Sequence, residues 1–190
     1  FCEHMIFLGN EDFTEENSFK KFVSANGGGQ NAFTSETDTT YYFSVLPGAL
    51  QAALLRFGAF FRAPLFTASA TDRELNAIEA EDAKNRQSDA FRLSQLAKSF
   101  AVQGHPLRHF GTGNKQTLLV EPGRRGVRAR DALLDFFRGY DAGLMALCVV
   151  GREPLDVLQG WVERAFGGIA SRGAQSPTLA WRGVNPYPPA

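Results

Sequence analysis

The sequence predicts an α+β domain in which an antiparallel-rich sheet packs against helices. Three observations carry that expectation. Apolar residues recur at helical spacing through several segments. One pair of arms rich in Thr, Tyr and Phe reads as a β-hairpin. Strands and helices do not alternate in the regular order that a doubly wound sheet requires.

In chain order, a first helix is expected to end at Gly9, a residue suited to the left-handed turn after a helix. Thr14, followed by Glu15 and Glu16, reads as the N-cap of a second helix. That helix carries Phe19, Phe22 and Val23 on one side and stops at Gly27-Gly28-Gly29. Residues Asn31 to Ser35 and Thr39 to Leu46 form the two arms of the hairpin, around the polar turn Glu36-Thr37-Asp38. Pro47-Gly48 breaks it. From Leu50, the set Ala53, Leu54, Phe57, Phe60 and Phe61 has helical spacing until Pro64.

Thr71 and Glu74 have capping-box spacing and are expected to open one long helix reaching about Phe100. Its apolar positions include Leu75, Ile78, Phe91, Leu93 and Leu96. Gly104 to Asn114 is a loop. A helix near Arg130 to Phe137, a strand from Leu144 to Val150 and a helix from Leu155 to Phe166 closed by Gly167-Gly168 complete the domain. The stretch from Ser171 to Ala190, with Pro177, Pro186, Pro188 and Pro189, reads as a linker.

The 190 residues can bury one sizeable core, or two small lobes sharing one. Twenty acidic and twenty basic side chains cancel, which argues against a nucleic-acid partner or a polybasic membrane surface. No apolar run reaches the roughly 18 residues of a membrane span. Two cysteines, Cys2 and Cys148, make no disulfide framework and suit a reducing compartment, so a cytoplasmic location is expected. The sequence opens at Phe1, inside a motif, and is expected to be part of a longer chain.

The chemistry sits in Phe1-Cys2-Glu3-His4. A histidine directly before Phe1 would complete His-x-x-Glu-His, with two imidazoles at i and i+4 on one helix face, both able to reach one zinc ion. Glu3 would then lie beside the metal and could take a proton from water. Taken alone, Glu3-His4 is a weak signal and reads first as a solvated surface pair. Cys2, two residues from each histidine position, is turned away from them and reads as a packed thiol, although a zinc-binding thiolate is conceivable. His105 and His109 also stand at i and i+4, but Pro106 argues against a helix there. Gly111-Thr112-Gly113-Asn114-Lys115 lacks the Walker spacing of a phosphate loop.

The run Glu3 to Asn10 resembles the inverted zinc motif of the M16 metallopeptidases, the inverzincins. The resemblance continues through Glu16-Asn17 with Phe22, Gly28 to Ser35, Thr40 to Phe43, Arg56-Phe57 with Phe60-Phe61, and Pro64 to Phe66. Asp72 to Asn85, His105-Pro106, Phe110 to Lys115 and Val149 to Leu155 extend it over nearly the whole chain, closest to the insulysin and pitrilysin branch.

That resemblance implies the M16 fold, of the kind shared with LuxS and the mitochondrial processing peptidases, truncated at its N-terminus. It implies a Zn2+ cofactor held by the histidine before Phe1, by His4 and by a glutamate on a separate helix. The family position falls on Glu81, 81 − 4 = 77 residues after His4, with Glu79 and Asp82 as neighbouring competitors. Glu3 becomes the group that activates water. Glu74 is left with two roles, capping with Thr71 and orienting a metal ligand from behind, with the weight on capping. Asn31, Ala32 and Phe33 would form the edge that accepts a peptide substrate as an added strand, against a plain reading as an edge strand with Phe33 in the core.

By the same resemblance, residues 1–170 are the N-terminal catalytic domain in part, and 171–190 lead toward a further homologous domain. The expected activity is zinc endopeptidase cleavage of short peptides, with the 190-residue piece inactive by itself. The alternative is an inactive M16-like structural or peptide-binding subunit.

Overall fold

The computed structural model describes residues 1–187, so Pro188 and Pro189 of the proline-rich tail lie outside the described residues. Among those described, eight α-helices surround one two-stranded antiparallel sheet. In order they are α1 (Cys2–Ile6), α2 (Ser18–Ala25), β1 (Gly29–Thr34), β2 (Thr39–Ser44), α3 (Leu50–Arg62) and α4 (Ala68–Asn85). There follow α5 (Asp89–Ser99), α6 (Glu121–Arg124), α7 (Ala129–Phe137) and α8 (Leu155–Phe166). The fold is α+β as expected, with its sheet reduced to the hairpin. Gly29 pairs with Ser44 and Thr34 with Thr39, and the Ser35 N–H donates to the Asp38 carbonyl (2.8 Å) to close the turn.

The core forms where the apolar stripes of α2 and α3 meet the inner face of the hairpin. Phe19 of α2 meets Phe60 of α3 edge-on at 5.2 Å and Phe43 of β2 at 5.4 Å, which ties helices to sheet through aromatic contacts. Ile6 of α1 joins this cluster, while Cys2 and Met5 of α1 join a second one with Phe66, Ala70 and Leu133. A five-residue helix is unstable alone. α1 persists because three of its residues are buried between two clusters, and that burial leaves Glu3 and His4 on its outer side.

α3 and α8 approach closely at Gly58, where an added Cβ would stand 2.3 Å from the Ala165 carbonyl oxygen. A backbone oxygen cannot swing aside, so Gly58→Ala is expected to destabilise the domain by about 1–3 kcal/mol through overpacking. Thermal unfolding measures this; a variant as stable as the parent would contradict so close a helix contact.

Several sequence expectations are corrected. α1 ends at Ile6, three residues before the left-handed Gly9. α2 starts at Ser18 after Asn17, itself left-handed (φ 61°), so Thr14 is not its cap. The single long helix to Phe100 is two helices. Asn85 and Ser88 interrupt it: both favour turn bonding over helix, the Ser88 N–H donates to the Asn85 carbonyl, and Ser88 is extended. Phe91, Leu93 and Leu96 are consequently exposed on α5 rather than in the core. The stretch from Leu144 to Val150 is not a strand, because a strand requires a hydrogen-bonding neighbour and no other described segment pairs with it. The tail after Ser171 includes a 3-10 turn at Pro177–Trp181. It lies against the body, with Trp181 edge-on to His105 and the Val102 N–H donating to the Pro186 carbonyl (2.7 Å).

Asp141 holds that end of the chain. Its carboxylate is buried and accepts backbone N–H bonds from Gly143, Arg172 and Ala174 and the Ser171 hydroxyl. These bonds, the Arg172 N–H foremost, lower its pKa below the ordinary aspartate value. A depressed folded value means the contribution is complete above the unfolded pKa of about 3.9 and is lost as pH falls through the folded one. Asp141→Asn is therefore expected to flatten the stability–pH profile below about pH 4. An unchanged acid limb in denaturant titrations would rule this out.

Candidate metal centre and peptide groove

α1 presents Glu3 and His4 to an open groove of about 1080 Å³, whose lining also includes Phe33, Thr34, Glu81 and Phe91. α1 touches α4, α7 and β1. The groove thus has a carboxylate-rich helix, α4, on one side and the hairpin on another.

His4 lies between two carboxylates of α4. Its Nδ1 is 3.1 Å from Glu74 Oε2, and its Nε2 is 3.7 Å from Glu81 Oε2. Seven residues along a helix differ in direction by only about 20°, so Glu74 and Glu81 share one side of α4 and reach both edges of the imidazole. In the tautomer that donates its Nδ1 proton to Glu74, His4 offers the Nε2 lone pair on the Glu81 side. The capping box is corrected here. Thr67 is the N-cap of α4, its Oγ1 accepting from the Ala70 N–H (3.2 Å), while the Thr71 hydroxyl donates to the Thr67 carbonyl. Glu74 is thereby free to meet His4.

Donor chemistry and spacing suit zinc. Two ligand atoms at roughly 2.0–2.1 Å from one tetrahedral zinc stand about 3.3 Å apart, and His4 Nε2 and Glu81 Oε2 are within half an ångström of that. A carboxylate on the far ring nitrogen of a ligating histidine is the usual supporting arrangement. His4 and Glu81 supply two donors, and no group of three His, Cys, Asp or Glu residues converges among the described residues. The competitors are engaged elsewhere. Glu79 accepts the Lys115 N–H (2.7 Å), and Asp82 is buried between Asn114 and Arg86.

Glu3 points toward the hairpin, where the Thr34 hydroxyl donates to its Oε2. Sequence reading missed Thr34. Thirty-one residues separate the pair, and no local pattern marks it. Ala32 and Phe33 line the groove, with Phe33 about half exposed rather than in the core as its plain reading had it. Asn31 lies on the exposed side of β1, its Oδ1 accepting the Ala32 N–H (2.9 Å).

Cys2 faces inward against Tyr140, whose hydroxyl lies 2.9 Å from that of Tyr41. Burial pushes the Cys2 thiol up to about 11, and burial before any other cause raises both phenols above the ordinary tyrosine value. Cys2 is thus a packed thiol beneath the site. His105 is likewise a loop residue, accepting the Leu107 N–H at a 3-10 turn.

Residues 1–103 match the family model of the insulinases, peptidase family M16. The chain belongs to the M16 peptidase family. Similar M16 relatives include the A-factor-processing enzyme of Saccharomyces cerevisiae, 43% identical over 181 residues, which cover 95% of this chain and 18% of that protein. The insulin-degrading enzyme of Homo sapiens is 45% identical over 178 residues, covering 93% and 18% respectively. The crystal structure of pitrilysin superposes with a TM-score of 0.86 at 29% identity, over 93% of this chain and 19% of that one. The M16 fold anticipated from the motif is thus present, and the chain spans about 18% of the length of the curated M16 relatives it matches. No helix of the described residues is long and apolar enough to cross a membrane.

Proposed function

We propose that this chain is the metal-holding part of a zinc metalloendopeptidase that cleaves short peptides, working with further M16 domains of a longer chain. The observation that carries the reading is the placement of His4 between Glu74 and Glu81 with Glu3 beside it at the mouth of a groove. His4 and Glu81 are the ligands in this reading, a histidine directly before Phe1 is the third, and Glu74 orients His4. When bound, zinc acidifies water and polarises a carbonyl.

The protein's own groups do the rest. Glu3 accepts a proton on its carboxylate and delivers it to the leaving amine, and the Thr34 hydroxyl holds that carboxylate toward the hairpin. The peptide adds as a strand along β1, so that backbone bonds supply affinity with little demand on sequence. In this reading a substrate carbonyl takes over the Ala32 N–H that the Asn31 carboxamide now accepts. Phe33 and Phe91 offer apolar surface for substrate side chains.

The names of the relatives, an insulin-degrading enzyme and a precursor-processing enzyme, agree with peptide substrates. Their greater length supports the further domains. Cys2 and Cys148, both free, suit a reducing compartment such as the cytoplasm. Survival of Glu3, His4 and Glu81 together counts against an inactive subunit.

Zinc stoichiometry tests the reading. Full-length protein is expected to bind one zinc at the site, and Glu81→Gln to lose most of it with the fold intact by circular dichroism. Zinc retained at wild-type affinity would refute Glu81 as a ligand.

A further inference from the structure

α4 carries two polar stripes. Taking about 100° of turn per residue, Glu74 and Glu81 lie within about 20° of each other on the His4 side. Glu79, Asp82 and Arg86 lie about 80–140° further round, and this second stripe is bound to the loop Gly111–Lys115. Glu79 accepts the Lys115 N–H at 2.7 Å, and the Asn114 amide donates to Asp82 at 3.1 Å. Arg86 completes the cluster on Asp82 at 2.6 Å.

Asn114 is itself fully committed. It is buried, its Oδ1 accepts the Thr117 N–H (3.0 Å), and its backbone N–H donates to Thr117 Oγ1 (3.1 Å). The carboxamide therefore cannot rotate away from Asp82 without breaking the turn that follows. Gly113 makes this turn possible: it is left-handed (φ +82°), and a Cβ there would stand 2.9 Å from Leu118. Gly113 serves a left-handed turn packed on Leu118 rather than a phosphate.

We infer that the loop Gly111–Lys115 is a clamp that sets the rotation of α4, and that Asn114 is a positioning residue for the metal ligand Glu81. Three carboxylates fall within four residues of α4, and rotation decides which one faces His4. By engaging Glu79 and Asp82, the loop withdraws the two competitors and leaves Glu81 turned to the imidazole. This rests on the reading of Glu81 as a zinc ligand.

The test uses full-length protein, with the zinc dissociation constant measured against a chromophoric chelator and the visible spectrum of the Co2+-loaded form recorded alongside. Asn114→Ala and Glu79→Ala are each expected to weaken zinc roughly 10-fold or more, the scale of losing an outer partner of a metal site, and to alter the cobalt spectrum. The exchange Asp82→Asn with Asn114→Asp rebuilds the hydrogen bond with its polarity reversed and is expected to restore affinity. Leu158→Ala, in the distant α8 cluster, is expected to lower stability and leave affinity unchanged.

Wild-type affinity in Glu79→Ala and Asn114→Ala, with zinc lost in Glu81→Ala, would overturn the clamp and leave the ligand reading standing. Should Asn114→Ala fail to fold, Glu79→Ala decides, since alanine suits its helix. If Leu158→Ala weakens zinc as much as the loop variants, the effect is general destabilisation and the clamp is refuted. If Glu81→Ala keeps its zinc, the ligand reading falls and the clamp with it.

Discussion

Glu3→Gln in the full-length protein is expected to lower kcat for peptide cleavage by roughly 10²- to 10⁴-fold, the contribution of a positioned general base. Glutamine has the shape of glutamate and keeps an oxygen for the Thr34 hydroxyl, so the hairpin and α1 need not move. It cannot take a proton from water at neutral pH. KM and zinc content are expected to change little, because the backbone edge of β1 and the His4–Glu81 pair are untouched. Steady-state kinetics with zinc analysis on the same preparation decides the matter. A variant that keeps its zinc and cleaves within a few-fold of the parent would remove Glu3 from the chemistry.

The largest loss of stability is expected from Phe60→Ala. Phe60 is 2% exposed and meets Phe7 at 5.5 Å, Phe19 at 5.2 Å and Phe57 at 6.3 Å, all close to edge-on. Removing such a ring leaves a cavity that its neighbours fill only in part, at a cost of about 3–5 kcal/mol. The loss also reaches the site, since Phe7 follows α1 directly and rests on Phe60. Weaker zinc binding is expected with the lower denaturation midpoint. Denaturant unfolding measures the first effect, and a change below about 1 kcal/mol would mean that this cluster is not the centre of the core.

Much of the fold was legible because it is local. The amphipathic run from Leu155 to Phe166 with its glycine stop is α8 to the residue. Leu50 to Arg62 follows its apolar spacing up to Pro64. The hairpin follows from β-branched and aromatic arms around a polar turn. Errors arose where two local preferences competed or where a partner was needed. Asn85 and Ser88 outweighed a helical pattern that continues on both sides of them. Leu144 to Val150 has the composition of a strand, but strand pairing is a property of two segments. The Thr71–Glu74 spacing mimicked a cap because spacing alone cannot show where a carboxylate points.

The candidate metal site divides in the same way. The sequence by itself determined the residue types: Glu3-His4 at a helix, a cluster of acids 77 residues further on (81 − 4 = 77), and an M16 pattern around both. It could not choose among Glu79, Glu81 and Asp82 by physical argument, nor weigh Glu74 as cap against partner of His4. Tertiary structure placed Glu74 and Glu81, rather than Glu79 or Asp82, beside His4, since burial of Cys2, Met5 and Ile6 fixes the outward face of α1 and the packing of α4 turns those two carboxylates to it. The physical reason is distance along the chain. Composition and period act over one or two helical turns, whereas a bond between residues seventy apart exists only once the core has set the two helices side by side.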